Sequence, residues 1–307
     1  MARSEAPIGA PGAGRFLDPK VLARIESLEL MARTVVEGFI NGLHHSPHLG
    51  LSVDFAEHRA YMPGDDIRRI DWRLFARSDR FYVKEFESDT NTNCVFLLDI
   101  SRSMTYGSRG LAKLDYARFL TACLAFFSHK QRDRVGLVTF AEDIVDFVPP
   151  AAKHLDAALH TIDRVVPGRG SNLARSGLRV TEALRRRGFV VIVSDFYDEP
   201  EAVIDAVKPL RYKGNDVILF HVLDPAEIEF PFTESANYQD LESGEAVPVV
   251  PDYLREQYRK LISEHIGRLG RAAADNGIDY ALFDTSTPLD YALFRYLANR
   301  ERLSRVR

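Results

Sequence analysis

The sequence predicts an α/β fold, with a mainly parallel central sheet and helices on both faces, joined to an N-terminal helical and irregular extension. Three observations carry this expectation. Short, largely apolar runs at Cys94–Leu98, Phe189–Ser194 and Asp216–Leu223 read as strands buried on both faces. Helical patterns alternate with these runs, as crossovers between parallel strands require. Two of the runs end in an acidic residue, Asp99 and Asp195, at the sheet edge where open α/β folds bind ligands.

Taken in order, residues 1–17 are rich in Gly, Pro and Ala without periodicity and read as a disordered arm. Asp18 caps and Pro19 opens a helix reaching Gly42, with Leu22, Ile25, Leu28, Ala32, Val35, Val36 and Phe39 on its apolar face. The helix begins an N-terminal extension over 18–90. The centre of that extension is Tyr61-Met62-Pro63-Gly64-Asp65-Asp66-Ile67-Arg68-Arg69-Ile70-Asp71-Trp72-Arg73. Acids at 54, 57, 65, 66, 71 and 79 equal in number the arginines at 59, 68, 69, 73, 77 and 80. Bidentate pairing would pin this segment to the main domain, and a docking surface is the alternative. Phe81–Phe86 alternates as an edge strand does.

The main domain is expected over 91–286. After the first strand, Leu114, Ala117, Leu120, Leu124 and Phe127 form the apolar stripe of a helix over Lys113–Lys130. Strands at Arg134–Phe140 and Ile144–Val148 follow, then helices at Lys153–Asp163 and Leu173–Arg187. The strand Phe189–Ser194, a helix at Glu201–Leu210 and the strand Asp216–Leu223 continue the alternation. A polar insertion over Glu227–Val250 carries a hairpin turned at Glu242-Ser243-Gly244-Glu245. A helix over Asp252–Asn276 stops at Gly277, the strand Asp279–Phe283 follows, and residues 287–307 form a C-terminal helix.

The net charge of −4 gives no general attraction to nucleic acid or anionic lipid, and Arg295, Arg300, Arg302, Arg305 and Arg307 read as a solvated helix end. Cys94 and Cys123 fall in core segments and have neither disulfide nor zinc spacing. Without a signal-peptide pattern or an apolar run long enough to span a bilayer, no membrane insertion is expected and the location is expected to be cytoplasmic. His44, His45 and His48 read as loop residues.

Asp99, Ser101 and Ser103 place three oxygen-bearing side chains at alternate positions in the turn after the first strand. If that strand neighbours the one ending at Asp195, the strand ends lie about 5 Å apart and the two carboxylates can face one cation. Pro167-Gly168-Arg169-Gly170-Ser171-Asn172 brings a third hydroxyl, Ser171, directly before a helix. An all-oxygen set selects a hard cation, Mg2+ with Mn2+ or Ca2+ as substitutes, and a set so poor in carboxylates leaves that ion able to take an outside acid.

These residues resemble the metal-ion-dependent adhesion site of von Willebrand factor type A domains: the Asp99, Ser101, Ser103 loop, Gly170-Ser171-Asn172-Leu173 and Val193-Ser194-Asp195. Ser171 stands where threonine is common and keeps the hydroxyl. Tyr61, Gly64-Asp65-Asp66, Arg68, Ile70-Asp71-Trp72 and Ala76-Arg77 resemble the signature of the bacterial family called domain of unknown function fifty-eight. Asp240-Leu241-Glu242-Ser243-Gly244 and Thr287-Pro288-Leu289 fit it as well. The resemblance implies a type A-like domain that acts as a non-enzymatic, metal-dependent protein-binding module. It also implies a partner presenting an acidic residue, namely a MoxR-type AAA+ ATPase that assembles or matures other complexes. The alternative is a metal-assisted hydrolase of phosphoesters. Neither a second carboxylate cluster nor a motif-placed histidine base supports that alternative, and no phosphate-binding glycine loop supports nucleotide binding.

Overall fold

A computed structural model of the protein describes residues 19–23, 25, 27–44, 58–60, 82–84, 92–242, 244–293 and 295–296. The expected arm over 1–17, almost all of the charged 54–80 segment with its Trp72 signature, and the chain after 296 lie outside the described residues.

The helix expected over Pro19–Gly42 is two helices, α1 (Pro19–Leu22) and α2 (Leu28–His44). Ser27 divides them. Its hydroxyl accepts from the Leu30 N–H at 3.2 Å and its carbonyl from the Met31 N–H at 3.0 Å, which restarts the hydrogen-bond ladder. Leu28, Met31, Ala32, Val35, Val36 and Phe39 are all buried, so the apolar stripe survives the break. The strand expected at Phe81–Phe86 is present as β2 (Tyr82–Lys84). It pairs with β1 (His58–Ala60) in a separate two-stranded antiparallel sheet.

From Asn93 the chain alternates strand and helix. In order come β3 (Asn93–Asp99), a 3₁₀ turn at Arg102–Thr105, α3 (Lys113–Lys130), β4 (Arg134–Phe140) and β5 (Ile144–Ala151). There follow α4 (Leu155–Asp163), α5 (Leu173–Ala183), β6 (Gly188–Ser194), α6 (Pro200–Tyr212) and β7 (Asp216–Leu223). The last described elements are α7 (Pro225–Glu229), β8 (Ala236–Gln239), β9 (Ala246–Val249), α8 (Pro251–Asp275), β10 (Asp279–Asp284) and helical residues at 289–293 and 295–296. The central sheet has the order β10-β7-β6-β3-β4-β5 and is parallel except for β5, which runs antiparallel to β4 at the edge. Pro149 and Pro150 are tolerated in β5 because an edge strand has donors to spare.

Period-2 alternation sorts the strand residues between two cores. Phe96 and Leu98 point to the face covered by α2, α3, α4 and the C-terminal helical residues, where Phe127 packs edge-on against Phe39 and Tyr296. Val95 and Leu97 point to the face covered by α5, α6 and α8. Cys94 and Cys123 are both buried, and neither forms a disulfide. Among the described residues no helix is long and apolar enough to cross a membrane.

Two local readings change. The helix expected to reach Arg187 ends at Ala183, because Leu184 turns extended and buries its side chain ahead of β6. The sequence reading also omitted α7, whose Asp224 and Glu227 form a reciprocal capping box. The hairpin in the insertion is β8–β9, turned over Asp240–Glu245 as expected.

The chain leaves β3 toward β4 and β5 on one side and returns to β6, β7 and β10 on the other. Strand order therefore reverses between β3 and β6, which are direct neighbours with Leu98 opposite Val193. Asp99 and Asp195 flank that reversal at the carboxyl ends of the two strands, the position at which doubly wound sheets carry their sites.

Candidate metal centre

Asp99 is wholly buried at the end of β3. Its Oδ1 accepts the Ser101 N–H at 2.8 Å, and its Oδ2 accepts the Ser194 hydroxyl at 2.6 Å and the Ser171 hydroxyl at 3.1 Å. Ser101 and Ser103 place their hydroxyl oxygens 3.1 Å apart. Asp99, Ser101, Ser103 and Ser171 are thus brought together by two short loops, the one after β3 and the one before α5.

Local backbone chemistry sets those loops. The Gly168 N–H bonds the Ile100 carbonyl at 2.7 Å, clamping the Ser171 loop onto the loop after β3. A Cβ on Gly168 would lie 2.6 Å from the Ala141 Cβ, so the approach needs glycine. Gly170 has φ +60°, a left-handed turn that aims Ser171 back at Asp99. Asn172 then caps α5 by accepting the Arg175 N–H at 2.9 Å.

Asp195 is 3 % exposed, one residue past β6. The next residue, Phe196, holds φ +42°, an uncommon backbone for a bulky side chain, and its N–H bonds Ser194 Oγ at 3.1 Å. Ser194 therefore ties the Asp195 turn to Asp99.

Asp195 Oδ2 accepts from Lys113 Nζ at 2.8 Å, and the same ammonium donates to Glu227 Oε1 at 2.7 Å. Lys113 is completely buried at the first position of α3, with Nζ 4.8 Å from the centre of the Tyr197 ring. Burial opposes its charge, and the Asp195 and Glu227 carboxylates overcome that opposition, holding its pKa above the ordinary lysine value. Burial and the nearby Asp195 charge push the Asp99 carboxyl up to about 6, against the donors from Ser194 and Ser101. Two carboxylates thus share one ammonium, and among the described residues Asp99 has no ion-pair partner.

The donor set suits a small hard cation: oxygen atoms only, with one buried carboxylate that among the described residues is met by neutral donors. Among the described residues no group of three or more His, Cys, Asp or Glu side chains converges, so any cation held here would depend on the serine hydroxyls.

Sequence reasoning missed four contributors. Ser194 reads as the last residue of an apolar strand, although its position beside Asp195 was a usable signal. Lys113 reads only as the start of a helix. Glu227 could have been found from the Asp-Pro-Ala-Glu capping box. Glu242, expected only as a turn residue, reaches the site from the β8–β9 hairpin. Its Oε1 accepts the Ser103 N–H at 2.7 Å and its Oε2 the Gly170 N–H at 2.6 Å.

Two histidines also approach from behind the Asp195 turn. His265 Nε2 lies 2.9 Å from the Phe196 carbonyl, and His221 Nδ1 lies 2.8 Å from the Tyr280 hydroxyl. Burial pushes the His221 pKa down to about 3, which keeps that ring neutral.

Among known proteins, an uncharacterized protein of Mycobacterium tuberculosis is 28% identical over 320 residues, covering 98% of each chain. The solved structure of the conserved hypothetical protein BatB from Bacteroides thetaiotaomicron is similar with 18% identity and a TM-score of 0.48, over 68% of this chain and 99% of that one. The SpRpn10 VWA domain is similar with 11% identity and a TM-score of 0.38, over 65% of this chain and 92% of that domain. The family profile described as Protein of unknown function DUF58 matches residues 57–267. That span takes in five of the six strands of the central sheet, both strand-end aspartates and the hairpin, and with more than half of the sequence matched, the chain belongs to the DUF58 family.

Proposed function

We propose that the protein is a metal-ion-dependent protein-binding module that captures an acidic residue of a partner. Asp99, Ser101, Ser103, Ser171 and Asp195 would hold Mg2+, with Mn2+ or Ca2+ as substitutes. The bound ion supplies an electrophilic position for an outside carboxylate. The observation that best supports this reading is Asp99, fully buried beside a second carboxylate and satisfied only by a backbone N–H and hydroxyls. A buried charge in that setting is costly unless a cation compensates it.

The chain's own groups divide the work. Ser194 and the Ser101 N–H fix the Asp99 carboxylate, and Lys113 holds one oxygen of Asp195, leaving its other oxygen free of that pair. Gly168 and Gly170 bring the Ser171 loop within reach of Asp99. The module acts by holding its partner and catalyses nothing. The family resemblance supports a MoxR-type AAA+ ATPase as that partner.

Affinity capture on the immobilised full chain tests this reading. An AAA+ ATPase recovered from the native cell in Mg2+ is expected to be lost in chelator and with Asp99→Ala, whose fold should remain intact by circular dichroism. Capture that persists unchanged in chelator would sink the metal reading. Metal-dependent phosphoester turnover that disappears in Asp195→Ala would replace it with a hydrolase.

A further inference from the structure

The β8–β9 hairpin is built to present one carboxylate. Asp240 accepts the Glu242 N–H on its Oδ1 at 2.9 Å, and its backbone closes the turn with Glu245 at 2.8 Å and Gly244 at 2.9 Å. Gly244 supplies the φ of +77° that the turn requires. Glu242 at the tip then uses both carboxylate oxygens, one on the Ser103 N–H and one on the Gly170 N–H. These donors belong to the two loops that carry Ser101, Ser103 and Ser171. A carboxylate received by two backbone N–H groups from separate loops forms a bidentate, charge-assisted contact.

Most residues of both strands of the hairpin are exposed, and the pair stands as a two-stranded sheet of its own. Tyr238, against Phe232 at 5.4 Å and Phe230 at 6.1 Å, is its main aromatic anchor. A two-stranded ribbon with so little buried area can leave its seat at small cost.

We propose that the Ser103 and Gly170 amides form a carboxylate cradle at the rim of the candidate metal centre, that Glu242 fills it in the resting chain, and that an acidic partner segment binds by displacing Glu242. The last step rests on the acid-capturing function proposed above. The cradle and its internal occupant stand on the hydrogen-bond geometry alone. Glu242 is then an internal competitor, and a tethered competitor lowers the apparent affinity for an outside acid by the fraction of time the cradle is closed.

The test uses the full ¹⁵N-labelled chain in chelator, with sodium acetate as the probe. In Glu242→Ala the Ser103 and Gly170 amide resonances should move upfield and exchange with solvent faster, since both lose an anionic acceptor. Acetate should then bind those amides at least about tenfold more tightly than in the wild type, a factor corresponding to a cradle closed about nine-tenths of the time. Glu242→Gln, which keeps one acceptor oxygen and loses the charge, should fall between the two. Unmoved Ser103 and Gly170 amides in Glu242→Ala, or equal acetate affinity in both chains, would overturn the proposal. Calorimetric titration with Mg2+ alone separates the two ideas. A chain that binds no Mg2+ but shows these amide changes loses the metal reading and keeps the cradle; the reverse pattern loses the cradle and keeps the metal.

Discussion

Lys113→Met is expected to lower the stability of the fold by about 3–5 kcal/mol, read as a fall in the urea midpoint with little change in slope. Lys113 is fully buried, with Asp195 at 2.8 Å and Glu227 at 2.7 Å on its ammonium. Removing it strands two carboxylates that have little access to water. Methionine fills a similar volume, so the loss reports the charge and not a cavity. Adding Glu227→Gln to Lys113→Met should recover part of the loss, because one of the stranded charges is then gone. A loss under about 1 kcal/mol in the single variant would show that the ammonium is not what compensates this cluster.

Asp99→Asn is expected to have the opposite character. In chelator it should leave stability unchanged or raise it, because Asp99 is wholly buried near the Asp195 charge and its hydrogen-bond donors are neutral. Asparagine keeps one oxygen for the Ser101 N–H and sheds the charge. Mg2+ at about a hundred times its dissociation constant should stabilise the wild type by about 2.7 kcal/mol and the variant not at all. Thermal denaturation of both chains, with and without Mg2+, reads all four values. An Asp99→Asn chain that gains as much from Mg2+ as the wild type would remove Asp99 from the site.

Much of the fold was legible because parallel strands buried on both faces leave continuous apolar runs in the sequence. The run at Asp216–Leu223 became β7 residue for residue. The placement of Asp99 and Asp195 at strand ends was legible, while the pairing of β3 with β6 that makes them neighbours beside the reversal of strand order was only a condition of the reading. The break between α1 and α2 was hidden because the apolar period continues through Ser27, and only the local competition of a serine cap decides it.

The unread part of the site is long-range. A lysine at the first turn of a helix runs against the helix dipole and would ordinarily face water. Lys113 is buried there only because Asp195 and Glu227, far along the chain, supply the opposite charge. The hairpin turn was readable from its Glu-Ser-Gly-Glu sequence, but its docking was not. The contact of Glu242 with Ser103 spans 139 positions and that with Gly170 spans 72, and no periodicity encodes either. Backbone N–H donors also have no residue type, so a cradle made of two of them leaves no mark in a sequence.

Calorimetric titration of the full chain with Mg2+ tests the candidate centre most directly. One saturable site in the wild type, absent in Asp99→Asn and weakened in Ser101→Ala, is the expected result. No saturable binding in the wild type, or equal binding in Asp99→Asn, would contradict a metal held at the β3–β6 sheet edge.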